Sequence, residues 1–308
     1  LKEGEVLAIV GESGCGKSVL CKSLMKMLPG NARIKSGKIL ANGIDITGYK
    51  ERDMAKLRGT LFSMVFQDPM TALNPTMTIG RQIEEAIKIH NPHIKRDALE
   101  KRVIELMELV GIDQADERRD LYPYHFSGGM RQRSVLAIAL AGNPSILIAD
   151  EPTTALDVTI QAQILELMQS LQKKLGMAII MVTHDLGVIA DMCDEIIVMY
   201  GGRVCERGTA EDIFYRPHHE YTKGLLRSIP NVDRIGEKLI PIPGTPPDLL
   251  KLNSGCAFMP RCSKAMKICK DYMPCRTQFS EDQYCSCWEY CKDSADKIVQ
   301  EQSAAVNG

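Results

Sequence analysis

"GESGCGKS", Gly11 to Ser18, is the stretch that decides the fold. It fits the phosphate-binding pattern G-x-x-x-x-G-K-[ST]. An apolar run, EVLAIV (5–10), precedes it, and an amphipathic run, KSVLCKSLMKML (17–28), follows it. A buried strand that enters a helix through a glycine-rich loop points backbone N–H groups and the positive end of the helix dipole at one place, which suits a phosphate chain. The stretch therefore predicts a P-loop for a nucleoside triphosphate.

Two side chains of this loop have predicted roles on the phosphates. Lys17 is expected to bridge the β- and γ-phosphates, and Ser18 to coordinate Mg²⁺. The glycines are expected because only residues without Cβ bulk let the backbone approach the phosphates closely. The predicted nucleotide contacts are Gly11, Ser13, Gly14, Cys15, Gly16, Lys17, Ser18 and Val19.

Outward from the loop, apolar runs alternate with amphipathic ones. SILIAD (145–150), AIIMVTH (178–184) and EIIVMY (195–200) are rich in Ile, Val and Ala, which predicts buried parallel strands. Residues of about 76 to 142 carry helical periodicity and no strand run, which predicts a helical insertion between two strands. Strand, crossover helix and strand in succession predict an α/β fold with a largely parallel sheet.

An acidic pair ends one of these predicted strands. Asp150 and Glu151 follow the run SILIA, at the place where a nucleotide-hydrolysing site needs a metal-facing carboxylate and a catalytic one. We expect Asp150 to hold Mg²⁺ through water and Glu151 to polarise the attacking water. A solvated acidic turn is the alternative interpretation, and the P-loop argues against it.

Four further motifs complete a pattern that resembles the ATP-binding cassette (ABC) ATPases. They are VFQDP (65–69), FSGGMRQR (126–133), TALD (154–157) and VTHD (182–185). With the P-loop and the acidic pair, they cover nearly all of residues 1–230 in the order of that family. The resemblance implies ATP hydrolysis.

The resemblance also assigns roles to individual residues. It implies that Gln67 joins Ser18 and Asp150 on Mg²⁺, that Asp157 lies in the loop after the acidic pair and that His184 is the catalytic switch histidine. Two cassettes face each other in this family, and each nucleotide lies between one chain's P-loop and the other chain's signature. The signature residues Ser127, Gly128 and Gly129 are therefore expected on the partner's ATP.

The C-terminal part narrows the resemblance. RPHHEYTKGLLRSIPNVD (216–233) and PIPGTPPDLLKLNSGCAFMPRC (241–262) resemble the extension of oligopeptide and dipeptide importer ATPases. This implies a heterodimer with a paralogous ATPase, two membrane permease subunits, an external peptide-binding protein and a place at the cytoplasmic face of a prokaryotic membrane. FQDPMTALNPTMTIG (66–80) is expected to line the groove for a permease helix. A soluble cassette ATPase acting on nucleic acid is the alternative function.

Charge and hydropathy give no sign of nucleic acid or of a membrane span. The formal net charge is -1, and no apolar run approaches the roughly 18 to 20 residues that cross a bilayer. We therefore expect a soluble intracellular protein, in which clustered cysteines are more often metal ligands than disulfides.

Seven of the chain's 11 cysteines lie between residues 256 and 291. Their wide spacing in predicted loops favours a [4Fe–4S] cluster over zinc, whose structural sites use ligands two to four residues apart. Zinc and reduced structural thiols remain alternatives. The importer resemblance implies Cys256, Cys262, Cys269 and Cys287 as the cluster ligands, with Cys285 as the rival for the fourth position and with Cys275 and Cys291 left over.

The changes in composition and periodicity along the chain predict its domains. They are an ABC nucleotide-binding domain over residues 1–235, with its helical subdomain at about 76–142, a C-terminal extension with a small metal-cluster module over 236–295, and a polar tail over 296–308. The connector that begins the extension is dense in Pro and Gly.

Overall fold

The computed structural model describes residues 1–154, 156–229 and 241–291. The chain divides into two compact units: residues 1–6 with 18–182, and residues 7–17 with 183–308. The division falls between Lys17 and Ser18, inside the predicted P-loop. The predicted limit at 235/236 and the predicted tail over 296–308 lie outside the described residues.

The strands in chain order are β1 (Val6–Val10), β2 (Leu40–Ala41), β3 (Ile44–Asp45), β4 (Phe62–Val65), β5 (Ile146–Asp150), β6 (Ala178–Thr183), β7 (Glu195–Tyr200), β8 (Arg203–Thr209), β9 (Arg276–Gln278) and β10 (Tyr284–Ser286). The α-helices are α1 (Lys17–Leu24), α2 (Glu51–Leu57), α3 (Pro69–Ala72), α4 (Ile79–His90), α5 (Arg96–Leu109), α6 (Ala115–Arg118), α7 (Gly128–Leu140), α8 (Val158–Leu175), α9 (Ala210–Tyr215), α10 (Glu220–Arg227) and α11 (Ile268–Asp271).

The first unit is built on the parallel strands β4, β5 and β6, in that order. Their side chains are almost all buried, as the apolar runs predict. Helices α4 to α7 fill the segment between β4 and β5 with a core of its own, in which Ile79, Ile83, Leu106 and Leu136 are fully buried. Between residues 76 and 142, all of them described, there is no strand.

Helix α8 follows β5 and returns the chain towards β6. Asp157 caps its N-terminus, because its side chain accepts a hydrogen bond from the backbone N–H of Ile160 over 3.0 Å. Gly176 ends the helix in the left-handed conformation, at φ 67°. This crossover connection between two parallel strands places the residues that follow β5 at the carboxyl edge of β5 and β6.

The second unit pairs its strands in the order β1, β7, β8, β10, β9. Only β1 and β7 run parallel; the pairs from β7 to β9 are antiparallel. Strands β8, β9 and β10 have no counterpart in the sequence predictions, because RVCERGT and the two three-residue strands are charged or very short. The sheet is therefore parallel in its predicted part and antiparallel beyond it.

The prediction of a separate cysteine-rich module is not confirmed. Residues 241–291 cluster into the same unit as 183–229, and β10 pairs with β8 through Tyr284 opposite Arg207. The physical reason lies in the apolar content, since the segment's large buried side chains, Phe258, Tyr284 and Trp288, are too few for an independent core. The segment completes the second unit instead of folding alone.

None of the described helices is both long enough and apolar enough to cross a membrane.

Candidate functional site

The P-loop follows β1, and its residues Gly11 to Lys17 lie in the second unit. Lys17 is 5% exposed, and its Nζ donates to the carbonyl oxygens of Gly11, at 2.7 Å, and Glu12, at 3.2 Å. Gly11 has φ 154°, and a Cβ built there would lie 2.2 Å from the carbonyl oxygen of Met199. No side chain fits at this position. The Lys17 side chain thus folds back over its own loop, and a phosphate bound in the loop would contact its ammonium group.

Two of the predicted Mg²⁺ ligands, Ser18 and Asp150, lie in the first unit. The Oγ of Ser18, at the start of α1, donates to Oδ1 of Asp150, at the end of β5, over 2.9 Å. Asp150 is 6% exposed. Burial, with a smaller contribution from the Asp150 charge, raises the pKa of Cys21 to about 12, so this neighbour of the pair remains a neutral thiol. A hydroxyl and a carboxylate, both hard oxygen donors, converge as a Mg²⁺ site requires.

The predicted base sits in a strained backbone conformation. Glu151 has φ 49°, a region that non-glycine residues seldom occupy, and its N–H donates to the carbonyl oxygen of Val182 over 2.9 Å. Its Oε2 accepts from Nε2 of Gln67, at 3.1 Å, and from Oγ1 of Thr154, at 3.0 Å. The structure thus places the Gln67 amide on Glu151, whereas the resemblance implies that Gln67 joins Ser18 and Asp150 on Mg²⁺. Thr154, the second partner of the carboxylate, was not predicted. Its position three residues after Glu151 was the available signal.

The signature begins a helix. Ser127 is the N-cap of α7, accepting from the N–H of Met130 over 3.3 Å, and Gly128 opens the helix. Both residues are exposed. Gly129 packs against α8, where a Cβ would approach Cγ2 of Ile160 to 2.8 Å. The serine and first glycine thus offer exposed donors at a helix N-terminus, and the second glycine keeps α7 close to α8.

His184 follows the last residue of β6 and is exposed. The turn that carries it is fixed by two hydrogen bonds: the N–H of Asp185 donates to Oγ1 of Thr183 over 3.0 Å, and Oδ1 of Asp185 accepts from the N–H of Gly187 over 2.8 Å. The backbone at the histidine is therefore held on both sides.

Four cysteines of the C-terminal segment line one small cavity: Cys256, Cys262, Cys269 and Cys287. These are the four predicted cluster ligands. The backbone N–H of Cys256 donates to the carbonyl oxygen of Cys269 over 2.8 Å, which holds two ligand-bearing loops together. Burial raises the pKa of Cys256 and of Cys287 to about 11, so that without a cation these thiols stay protonated.

The other three cysteines of the segment lie elsewhere. Cys285 is fully buried on β10 and is not part of the cavity lining; burial and the nearby Glu206 raise its pKa. Cys275 and Cys291 form a disulfide. The expectation that the cysteines of this segment stay reduced is therefore wrong for that pair, whose Cα atoms are 6.0 Å apart, within the reach of a disulfide.

Within the residues that the structure describes, no group of three or more His, Cys, Asp or Glu side chains is placed to hold a metal ion. The four cavity cysteines share a lining but do not converge on one point. The predicted metal centre, whether iron–sulfur or zinc, is therefore not confirmed by the described side chains.

Comparison with known proteins adds to this geometry. Residues 1–154 match the family model described as "ABC transporter", and residues 205–269 match "Oligopeptide/dipeptide transporter, C-terminal region". The dipeptide transport ATP-binding protein DppD of Bacillus subtilis is 51% identical over 289 residues, which is 94% of this chain and 86% of that protein. The oligopeptide transport ATP-binding protein OppD of the same organism is 52% identical over 290 residues, 94% of this chain and 81% of that protein.

A solved structure resembles the fold. The dimeric ATP-binding cassette MJ0796, in a post-hydrolysis state bound to ADP and Pi, superposes with a TM-score of 0.59 at 28% sequence identity, covering 68% of this chain and 87% of that one.

Proposed function

This chain belongs to the ABC transporter ATP-binding family, and we propose that it hydrolyses ATP to power the import of di- or oligopeptides. One observation carries the proposal: a single chain joins an ABC match over residues 1–154 to the peptide-transporter C-terminal match over 205–269. The nucleic-acid alternative is not favoured, because that C-terminal match is to peptide transporters.

The residues of the site divide the chemistry between them. The backbone of the P-loop and Lys17 hold the ATP phosphates, and the oxygens of Ser18, Asp150 and Gln67 hold Mg²⁺. When bound, Mg²⁺ neutralises charge on the β- and γ-phosphate oxygens. Glu151 takes the proton of the attacking water, and its hydrogen bonds to Gln67 and Thr154 orient the carboxylate for that task.

His184 is the proposed switch residue of the same reaction. An imidazole ring can donate from one ring nitrogen to the γ-phosphate while the other nitrogen accepts. Such a donor stabilises the charge that develops on the transferred phosphoryl group. Its exposed position after β6 leaves the ring accessible to a ligand.

The signature acts on a second nucleotide. Ser127 and the N–H groups of Gly128 and Gly129 donate to the γ-phosphate held by a partner cassette, which we propose is a paralogous chain. ATP bridges the two cassettes and closes the dimer; hydrolysis and phosphate loss remove the bridging charge and reopen it. Asp157, the N-cap of α8, lies in the loop that follows the base.

Two permease subunits and an external peptide-binding protein complete the proposed importer, with this chain peripheral on the cytoplasmic face of a prokaryotic membrane. The stretch 66–80, which holds Gln67 and the short helix α3, is the proposed contact for a permease helix. The movement of the cassettes on closure would be transmitted to the permease through this stretch, because Gln67 also contacts the base Glu151.

The cysteine cavity is the proposed site of a [4Fe–4S] cluster held by Cys256, Cys262, Cys269 and Cys287. Two features support this assignment. The donor set is the four thiols such a cluster takes, and a cluster binds each thiolate through a different iron, so the sulfurs need not meet at one point. When bound, the cluster would cross-link four loops of a segment with little apolar core.

Reconstitution tests the proposal. The chain is co-purified with the partner ATPase and the two permeases of the proposed importer. The complex is placed in proteoliposomes with the peptide-binding protein and a radiolabelled mixture of dialanine and trialanine. We expect ATP-dependent uptake that the Glu151→Gln variant abolishes. Uptake independent of ATP, or an ATPase rate stimulated by duplex or single-stranded DNA but not by the peptide-loaded binding protein, would overturn the assignment.

A further inference from the structure

One residue of the P-loop has contacts unlike those of its neighbours. Glu12 follows Gly11 and is none of the predicted nucleotide contacts. Its backbone N–H donates to the Oη of Tyr221, on α10, over 2.8 Å. Its carboxylate accepts both terminal nitrogens of Arg261, with Nη1 2.6 Å from Oε2 and Nη2 3.0 Å from Oε1. The main chain and the side chain of this P-loop residue are thus both held from the C-terminal part of the second unit.

Arg261 is itself fixed in place. Its side chain is 5% exposed, its Nε donates to the carbonyl oxygen of Pro243 over 2.8 Å, and its Nη2 donates to that of Ile242 over 3.2 Å. Its Nη1 also lies 3.2 Å from the Oη of Tyr200. The hydrogen bonds to the Glu12 carboxylate raise the pKa of Arg261 above its ordinary value. A two-pronged pair of this kind, with its guanidinium group buried, keeps one geometry, which a flexible surface pair does not.

The same short segment carries the cysteine cavity. Arg261 ends the 3-10 turn Met259–Arg261, and Cys262, one of the cavity cysteines, follows directly. Phe258, before the turn, is 3% exposed and packs its ring 5.1 Å from that of Tyr200 and 5.3 Å from that of Tyr221. A ligand or contact that orders the cysteine cavity therefore also orders Arg261, whose side chain holds Glu12.

We propose that Arg261 is a positioning residue that sets the P-loop for ATP, so that nucleotide affinity depends on the C-terminal segment being folded around its cysteine cavity. The inference rests on the proposed ATPase function. The physical basis is the conformational entropy that a loop loses when it binds a ligand. A P-loop that Glu12 already holds in place loses little entropy when it binds the phosphates. If Glu12 is released, the loop must be ordered on binding, and the affinity falls. Arg261 contacts no nucleotide in this scheme and acts only through Glu12.

Equilibrium binding of mant-ATP with Mg²⁺ to the full chain tests the proposal. We expect Arg261→Gln to weaken binding about tenfold, as misplacement of a binding loop does. Arg276→Gln is the matched control, because Arg276 is an exposed arginine of the same segment whose contact is the ring of Tyr284. It should change the dissociation constant less than twofold. Arg261→Lys keeps the charge without the planar fork and should fall between.

Two further readouts separate positioning from general stability. Glu12→Gln should weaken mant-ATP binding as much as Arg261→Gln, and the double variant should be no weaker than either single one, because the same contact is lost. In the assembled transporter, KM for ATP should rise while kcat stays near that of the parent chain, since Glu151 and its partners are untouched.

The results have distinct meanings. Binding by the Arg261→Gln variant equal to that of Arg276→Gln, or additive effects of the two substitutions at 12 and 261, would overturn the inference. If Arg261→Gln fails to fold, Glu12→Gln carries the test alone, because it removes the contact from the less buried side of the pair. A parent chain that binds no mant-ATP at all would refute the proposed ATPase function instead.

Discussion

The hydroxyl of Ser18 and the carboxylate of Asp150 share a hydrogen bond of 2.9 Å although 132 residues separate them. One residue opens the helix of the P-loop and the other ends a parallel strand, and this junction is where such sheets bind ligands. Their contact identifies which oxygens would share Mg²⁺, because each retains lone pairs on the side away from the hydrogen bond.

Replacing Ser18 by Ala should therefore raise the Mg²⁺ concentration that gives half-maximal ATPase activity by about tenfold, since one metal ligand is lost. The measurement is a Mg²⁺ titration of ATP hydrolysis at saturating nucleotide. Ser23→Ala is the matched control on the same helix, where the Oγ donates only to the carbonyl oxygen of Val19. An unchanged Mg²⁺ requirement in Ser18→Ala would show that Ser18 is not a metal ligand.

Glu151→Gln should bind ATP with near-normal affinity and lower turnover by about 10²- to 10⁴-fold, the contribution of a general base. The amide fills the same space and can still bond Gln67 or Thr154, but it cannot take a proton from water. Single-turnover hydrolysis and mant-ATP binding measure the two effects separately. Glu166→Gln, an exposed glutamate on α8, should leave both unchanged. Retained turnover in Glu151→Gln would move the base to another residue.

The local part of this site could be predicted from sequence. The patterns concerned are contiguous in sequence: a strand, a loop and a helix form the P-loop, and two carboxylates follow the apolar run of β5. Residue types and their spacing are therefore enough to predict this chemistry. The same patterns predict Glu151 as the base. The left-handed backbone conformation of Glu151, at φ 49°, could not be predicted, because tertiary contacts impose it and no sequence pattern around a glutamate indicates it.

The distant contacts could not be predicted. Arg261 and Glu12 are 249 residues apart, and neither belongs to a pattern that names the other. The disulfide between Cys275 and Cys291 was likewise missed, since connectivity among seven cysteines is not determined by their order. Strand β10 was missed because three residues are too few for a periodic signal, and only pairing with β8 makes them a strand.

Ser127 should matter for hydrolysis but not for the nucleotide that its own chain binds. We expect Ser127→Ala to reduce the ATPase activity of the assembled transporter at least tenfold while mant-ATP binding to the single chain is unchanged, because the hydroxyl acts on the partner's ATP. The N-cap is also lost in this variant, at a cost of about 1 kcal/mol.

Ser127→Asn separates the two roles of that serine. Asn is as good an N-cap and keeps α7 stable, but it places no hydroxyl at the signature. It should be as inactive as Ser127→Ala. Ser134→Ala is the control on the same helix, whose hydroxyl donates to the carbonyl oxygen of Met130. Full activity of Ser127→Asn would mean that the serine serves only to cap the helix.

The four cavity cysteines should hold iron as a set. Protein prepared without oxygen should be brown, absorb near 400 nm and contain about four irons per chain, as a [4Fe–4S] cluster requires. Each of Cys256→Ser, Cys262→Ser, Cys269→Ser and Cys287→Ser should lose most of the iron, because each removes one thiol from the common lining.

Cys285→Ser is the decisive comparison for the fourth ligand, since Cys285 is a near neighbour of Cys287 in sequence but lies outside the cavity. It should retain its iron, as should Cys275→Ser, whose sulfur is engaged with Cys291. Cys193→Ser, a buried cysteine outside the segment, controls for general loss of a thiol. Colourless protein with one zinc per chain would refute the cluster, and loss of iron in Cys285→Ser with retention in Cys287→Ser would exchange the fourth ligand. Either result is read from metal content alone, without reference to ATPase activity.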